Sequence, residues 1–282
     1  MNPAALFRVA SLTTALGVLA GGFAFQSVMG DGEVVTWKQF GVLNNQWGRS
    51  HAAPSSYQRI SITRSALLFT FNWQSASDRP DDRYAVKGFP AIVSGWHYGS
   101  PQFPGGLLRG RLPMRWSENP RLETEVRARR TGTQNDVLSL AWDIWLTAAK
   151  PDPAASSPIH PEAEIMVWPW RQHQQPLKSP PDADPIAARL SVWGTEWDLY
   201  FGHTEDDQGG WPVLSFVATR ALARRDGAID ARGALADFLR AAQRTSAPVR
   251  WDPQWWIAGV EFGSEIIQGT GSWTIEDYAL RP

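Results

Sequence analysis

Three segments of this 282-residue chain set carboxylates where acid–base chemistry would use them. Residues of equal parity share a face of an extended strand. Over Asp136–Thr147, the residues Leu138, Leu140, Trp142, Ile144 and Leu146 make an unbroken apolar face that belongs in a core. Ser139, Ala141, Asp143, Trp145 and Thr147 lie opposite. In EAEIMVWPW, Ile165 and Val167 pack inward, and Glu162, Glu164, Met166 and Trp168 share the other face. In WWIAGVEFGSEIIQG, the core face is read as Ala258, Val260, Phe262 and Ile266, with Glu261, Gly263 and Glu265 opposite. Acids on an outer face are usually just solvated. Acids flanked by Trp and Met instead mark a binding surface. Two carboxyl groups about 5–5.5 Å apart are the machinery of retaining glycosidases, one attacking and one acting as acid and base. Parity alone leaves Glu162 as eligible as Glu164, and Glu261 as eligible as Glu265.

The elements that would hold these residues are strands. Short apolar runs separated by Gly, Pro, Ser and Asp recur along the chain. The expected strands are Val34–Phe40, Ala66–Trp73, Pro90–Gly99, Arg121–Arg129, Asp136–Thr147, Glu162–Trp168, Ala188–Gly194, Trp197–Gly202, Trp211–Thr219, Trp256–Ile267 and Trp273–Leu280. Over Ala234–Arg244, Leu235, Phe238, Leu239 and Ala242 repeat at i, i+3, i+4 and i+7, which predicts one helix. Ala149–His160 and Arg171–Pro185 read as loops. An all-β sandwich of two antiparallel sheets, a jelly roll with one packed helix, accounts for this pattern. With no repeat or linker in sight, residues 31–282 form a single domain.

Residues 1–30 are set apart as a signal peptide, or alternatively an N-terminal anchor. Arg8 is their one charged residue and Val9–Phe25 is small and apolar. That run approaches the ~18 residues able to span a bilayer, but small residues dilute it, and small residues near Ala24 or Gly30 offer places for cleavage. A secreted protein is expected, extracellular or periplasmic, without stable membrane association after cleavage. The net charge of −1 makes no electrostatic case for nucleic acid. The absence of Cys removes disulfides and thiolate ligands, and the five His lack metal-ligand spacing, so no metal or cofactor is expected. Sixteen Trp are unusually many. Some must pack the core, and others offer flat platforms for sugar rings.

Six segments in order, with compatible spacing, resemble glycoside hydrolase family 12. They are NNQWG at Asn44–Gly48, VKGFPAIVSGWHYG at Val86–Gly99, AWDIWLTA at Ala141–Ala148, EIMVW at Glu164–Trp168, VLSFVA at Val213–Ala218 and FGSEIIQGTG at Phe262–Gly271. The resemblance covers Val34 to Leu280. It implies a jelly roll whose concave sheet forms a cleft for a β-glucan chain, and a monomeric, retaining endo-β-1,4-glucanase. A xyloglucan-specific enzyme is the alternative, and a non-catalytic carbohydrate-binding protein a more distant one. In this likeness Glu164 matches the nucleophile, Glu265 the general acid/base, and Asp143 an acid that hydrogen-bonds near the nucleophile. Met166 and Trp168 match residues lining the cleft, Asn45 and Trp47 match the glycone end, Trp73 matches another aromatic of that region, and Trp37 matches an outer platform. Ile266 and Ile267 depart from the family, which commonly has Pro and an aromatic after the acid/base.

Overall fold

The computed structural model describes residues 26–97, 112–152, 159–205 and 209–281. The first 25 residues of the expected leader, and Tyr98 and Gly99 of the expected Pro90–Gly99 strand, lie outside them. The chain begins with β1 (Gln26–Val28), the hairpin β2 (Val34–Trp37) and β3 (Phe40–Asn45), then β4 (Tyr57–Ile62) and β5 (Leu67–Trp73). A short helix, α1 (Pro80–Tyr84), leads to β6 (Phe89–Gly95), and later come the two-residue β7 (Met114–Arg115) and β8 (Glu123–Thr131). The long strands β9 (Val137–Thr147) and β10 (Ala163–Gln172) follow, then β11 (Ala187–Val192), β12 (Thr195–His203), β13 (Pro212–Ala218) and β14 (Ile229–Ala234). Helix α2 (Ala236–Gln243) precedes β15 (Trp256–Gly263) and β16 (Ile266–Arg281).

These strands form two layers, as expected of a jelly roll. The front layer runs β2-β3-β6-β15-β9-β10-β13-β12-β11, and the back layer runs β1-β4-β5-β16-β8-β14. Strand β16 joins them: Ile266 and Gln268 pair with β9 in front, and from Gly269 onward the strand pairs with β5 behind. Gly269 suits this crossing because its φ is +148°, and a Cβ there would lie 2.7 Å from Asp136 Cγ. The core fills the space between the layers. Trp142, Ile144, Ile165, Val167, Val260 and Phe262 face it from the front, and Phe69, Phe71, Val126, Trp273 and Ile275 from the back. Phe238 of α2 packs edge-on against Trp193, Trp197 and Phe216 at 4.7–5.0 Å, so the predicted apolar stripe docks the helix on the core.

Several boundaries differ from the sequence reading. Val34–Phe40 is a hairpin rather than one strand, because Lys38 turns the chain with a left-handed φ of 54°. Trp256–Ile267 is two strands, broken at Ser264–Glu265. The β10–β13 pair is parallel, so the sheets are not wholly antiparallel. Strands β1, β4, β7 and β14 and helix α1 were not anticipated. Alternation was the missed signal in YQRISI of β4, where Gln58 and Ile60 are buried between exposed Tyr57 and Arg59. Strand β1 falls within residues 1–30 and pairs with Ile60–Ile62 of β4.

Candidate active site

The parity argument carries over to β9 and β10. Trp142 and Ile144 enter the main core, whereas Ala141, Trp145, Met166 and Trp168 join a second apolar cluster on the outer face of the front sheet. It fails at one residue of β15. A register shift between Ile257 and Gly259 sends Ala258 to this second cluster rather than to the core. Val260, Phe262 and Ile266 face the core as expected.

Pairing brings the acids together. Met166 lies opposite Asp143, and Asp143 opposite Glu261, in one row across β10, β9 and β15. Glu164 lies opposite Trp145 in the adjacent row. Glu265 sits in the link between β15 and β16, which is pinned on both sides. Ser139 N–H donates to the Glu265 carbonyl at 3.0 Å, Ser264 Oγ donates to the Ser139 carbonyl at 2.6 Å, and Trp273 Nε1 donates to Ser264 Oγ at 3.1 Å.

Asp143 and Glu164 are only 5% and 8% exposed, and Glu265 is partly buried. Trp211 Nε1 donates to Glu164 Oε2 at 2.9 Å, and Gln174 Nε2 donates to Glu265 Oε2 at 2.8 Å. The expected hydrogen bond from Asp143 to Glu164 is not formed. Asp143 Oδ1 is buried with no hydrogen-bond partner among the described residues, and the donor that reaches Glu164 is an indole. Trp211 and Gln174 were missed because each lies far along the chain from the acid it serves. The Gly-Gly-Trp turn of residues 209–211 was the one local hint.

Removal from water raises the proton affinity of all three acids. Burial lifts Glu164 to about 8, with the Trp211 N–H opposing and the charges of Glu265 and Glu261 adding. Burial lifts Glu265 to about 7, opposed by Gln174. Asp143 is held well above its ordinary value by burial, then by Glu164, Glu265 and Glu261. Neighbouring carboxylates add to the effect of burial at Asp143 and Glu164, whereas at Glu265 burial acts alone.

The rival acids separate cleanly. Glu162 is exposed outside β10. Glu261 is 1% exposed and already engaged: its Oε1 accepts from Trp145 Nε1 at 2.8 Å and lies 2.7 Å from His97 Nδ1.

The aromatic candidates divide more sharply. Trp47 is 60% exposed, with its backbone N–H donating to Asn45 Oδ1 at 3.1 Å. Asn45 ends β3, two strand spacings from β15, or about 10 Å. Trp168 and Met166 line the outer face but are nearly covered, so they form its floor and not a raised platform. Trp73 is a correction. It is fully buried in the main core with Nε1 donating to Gln58 Oε1 at 3.2 Å, because the inward parity of β5 puts it beside Phe69 and Phe71. Trp37 is likewise a core residue, 4% exposed. A cavity of about 280 Å³ lies on this face away from the acids, lined by Trp170, Arg171, Asp198, Tyr200 and Val217. No cluster of metal-ligating side chains occurs among the described residues.

No protein-family model matches the chain. It is 26% identical over 242 residues to Endoglucanase S of Pectobacterium parmentieri, covering 85% of this chain and 80% of that protein. A native family 12 xyloglucanase from Bacillus licheniformis superposes with a TM-score of 0.73 at 25% identity, covering 91% of this chain and 99% of that one. An endoglucanase from Rhodothermus marinus shares the fold at a TM-score of 0.62 and 20% identity, covering 90% and 97%. With six motifs in order on a two-layered frame, three acids gathered where those motifs put them, and relatives matched over most of their length, the chain is similar in sequence and fold to enzymes of glycoside hydrolase family 12.

Proposed function

We propose that the protein is a secreted endo-β-1,4-glucanase that hydrolyses cellulose or mixed-linkage β-glucan with retention of configuration. The observation that carries this reading is the crowding of Asp143, Glu164 and Glu265 on one outer sheet face, each with raised proton affinity, in a chain similar to this family. Two nearby carboxyls that cannot both ionise are what a double displacement needs. Glu164, ionised, attacks the anomeric carbon. Glu265 gives its proton to the departing glycosidic oxygen, then takes a proton from the water that releases the sugar. Asp143 takes part by holding a proton beside Glu164, so that charge is not doubled there. Motif position supports these roles. Ser139 Oγ, Ser215 Oγ and Trp168 Nε1 are buried without protein partners among the described residues and support a face built for hydroxyl groups. Trp47, with Asn45 beside it, stacks a sugar ring remote from the reaction, and its binding energy helps distort the reacting ring.

Xyloglucan is the second reading. Two structures of the Bacillus licheniformis xyloglucanase superpose at TM-scores of 0.73 and 0.72, above the 0.62 of the Rhodothermus marinus endoglucanase. A non-catalytic carbohydrate-binding role has less support, because a binding module needs no crowded acids. Reducing-sugar release from carboxymethyl cellulose, barley glucan and xyloglucan, measured in parallel, decides between these readings. Release from none of them refutes the enzyme. For export, cleavage near Ala24 is favoured over Gly30. Gly30 N–H donates to Glu33 Oε2 and its carbonyl accepts from Asn44 Nδ2, ties that a cut there would sever along with β1.

A further inference from the structure

Glu164 is surrounded by other acids. Asp143 faces it from β9, Glu261 from β15 and Glu265 from the β15–β16 link, while β13 presents Val213 as its register partner. His97 lies against Glu261, and the ring of His160 lies edge-on to Trp211 at 5.8 Å. The group that reaches Glu164 itself is neutral, the N–H of Trp211. A hydrogen bond from a neutral donor to a carboxylate favours the charged form without adding a fixed cation.

The indole is held in place from three directions. Thr204 Oγ1 accepts the Trp211 backbone N–H at 2.9 Å, and the Trp211 carbonyl accepts from Thr204 N–H at 3.0 Å. Gly209 and Gly210 turn the chain with φ of +102° and +69°, and a Cβ on Gly210 would run into the Thr204 carbonyl. The ring packs edge-on against Trp145 at 5.8 Å and is 7% exposed. A donor so fixed holds its acceptor in one orientation.

We propose that Trp211 is the positioning residue for Glu164, holding its carboxylate oriented and ionised on a face crowded with other acids. This rests on the reading of Glu164 as the nucleophile. The indole supplies what a core Trp does not, an N–H aimed at a reacting group, and the Gly-Gly turn exists to place it.

The test compares the wild type with Trp211→Phe, which keeps an aromatic ring and loses the N–H. A second variant carries 3-benzothienylalanine at position 211, an isostere with sulfur in place of N–H, in case the smaller ring loosens the fold. Two measurements are taken: the pH profile of kcat/KM on the best glucan substrate, and the ¹³C carboxyl titration of Glu164, assigned by its loss in Glu164→Gln. In both variants the acidic limb and the Glu164 titration should move up by about one pH unit, with about a tenfold loss of kcat/KM on the acid side. Trp145→Phe, which strips an N–H from Glu261 instead, should not move the limb upward. An active wild type whose variants lose thermal stability with limb and titration unmoved overturns the proposal and leaves the glucanase reading standing. A titration that moves in a protein inactive on every glucan does the reverse.

Discussion

Trp142 and Asp143 are neighbours on β9 and meet opposite fates. Trp142 enters a core of apolar and aromatic side chains, with Phe262 at 4.8 Å and Trp193 at 5.8 Å. Asp143 enters a face almost as dry, but one that also holds Glu164, Glu261 and Glu265, and it leaves an oxygen without a protein partner. Burial by itself therefore does not distinguish structure from function here. What differs is the kind of group left unmet: Trp142 Nε1 also lacks a hydrogen-bond partner among the described residues but is neutral, whereas Asp143 is an acid set among three others. An unmet neutral polar atom costs about 1–3 kcal/mol and a buried acid costs more, so the outer face gives up stability that the core face supplies.

Substitutions on the two faces should thus separate activity from stability. The largest effect is expected at the proposed pair. Glu164→Gln and Glu265→Gln should each lower kcat at least about 10³-fold with the fold intact, as read by glucan hydrolysis beside circular dichroism. Azide added to Glu265→Ala should yield a β-glycosyl azide, and added to Glu164→Gly an α-glycosyl azide. Exchanged products would exchange the two roles. On the core face, Trp142→Ala and Trp73→Ala should each cost about 3–5 kcal/mol in denaturant unfolding. A Trp73→Ala protein of normal stability but weak substrate binding would restore Trp73 as a platform.

A smaller effect follows from linkage. Burial holds Glu164 at about 8 and Glu265 at about 7 in the folded protein, against about 4.3 in an unfolded chain. Between those values the folded state binds more protons than the unfolded one. The two groups therefore cost nothing below about pH 4, and stability is lost progressively as pH rises through 7 to 8. Glu164→Gln should flatten this decline in thermal scans, and an equally steep decline would show the charge to be better solvated than its burial indicates. Smallest is Trp47→Ala, where exposure predicts a stability change within about 0.5 kcal/mol. Loss of a stacking platform should lower kcat/KM about tenfold on a long glucan, with kcat falling as well as KM rising, because the lost binding energy no longer helps distort the reacting ring.

Much of this site was legible from residue order because strand parity is a local property. Leu138 through Leu146 alternate strictly, and a period of two admits one division into faces. The reading slipped where local geometry departs from that period. The bulge before Gly259 moved Ala258 to the other face, and the Ser264–Glu265 break split one expected strand. Trp47 and Trp73 could not be ranked as platforms from their type, since an indole serves equally well in a core or on a surface.

The sequence by itself determined the two-layered β architecture, the helix at Ala236–Gln243, and a face bearing Asp143, Glu164 and Glu265, because alternation and helical periodicity are written into neighbouring residues. Only the tertiary structure decided which indoles are covered, that Glu261 is taken by Trp145 and His97, and that Trp211 and Gln174 are the donors to Glu164 and Glu265. Those pairings join residues 47, 91, 116 and 164 positions apart. Hydrogen bonds over such separations depend on how sheets stack and loops return, which no local pattern encodes.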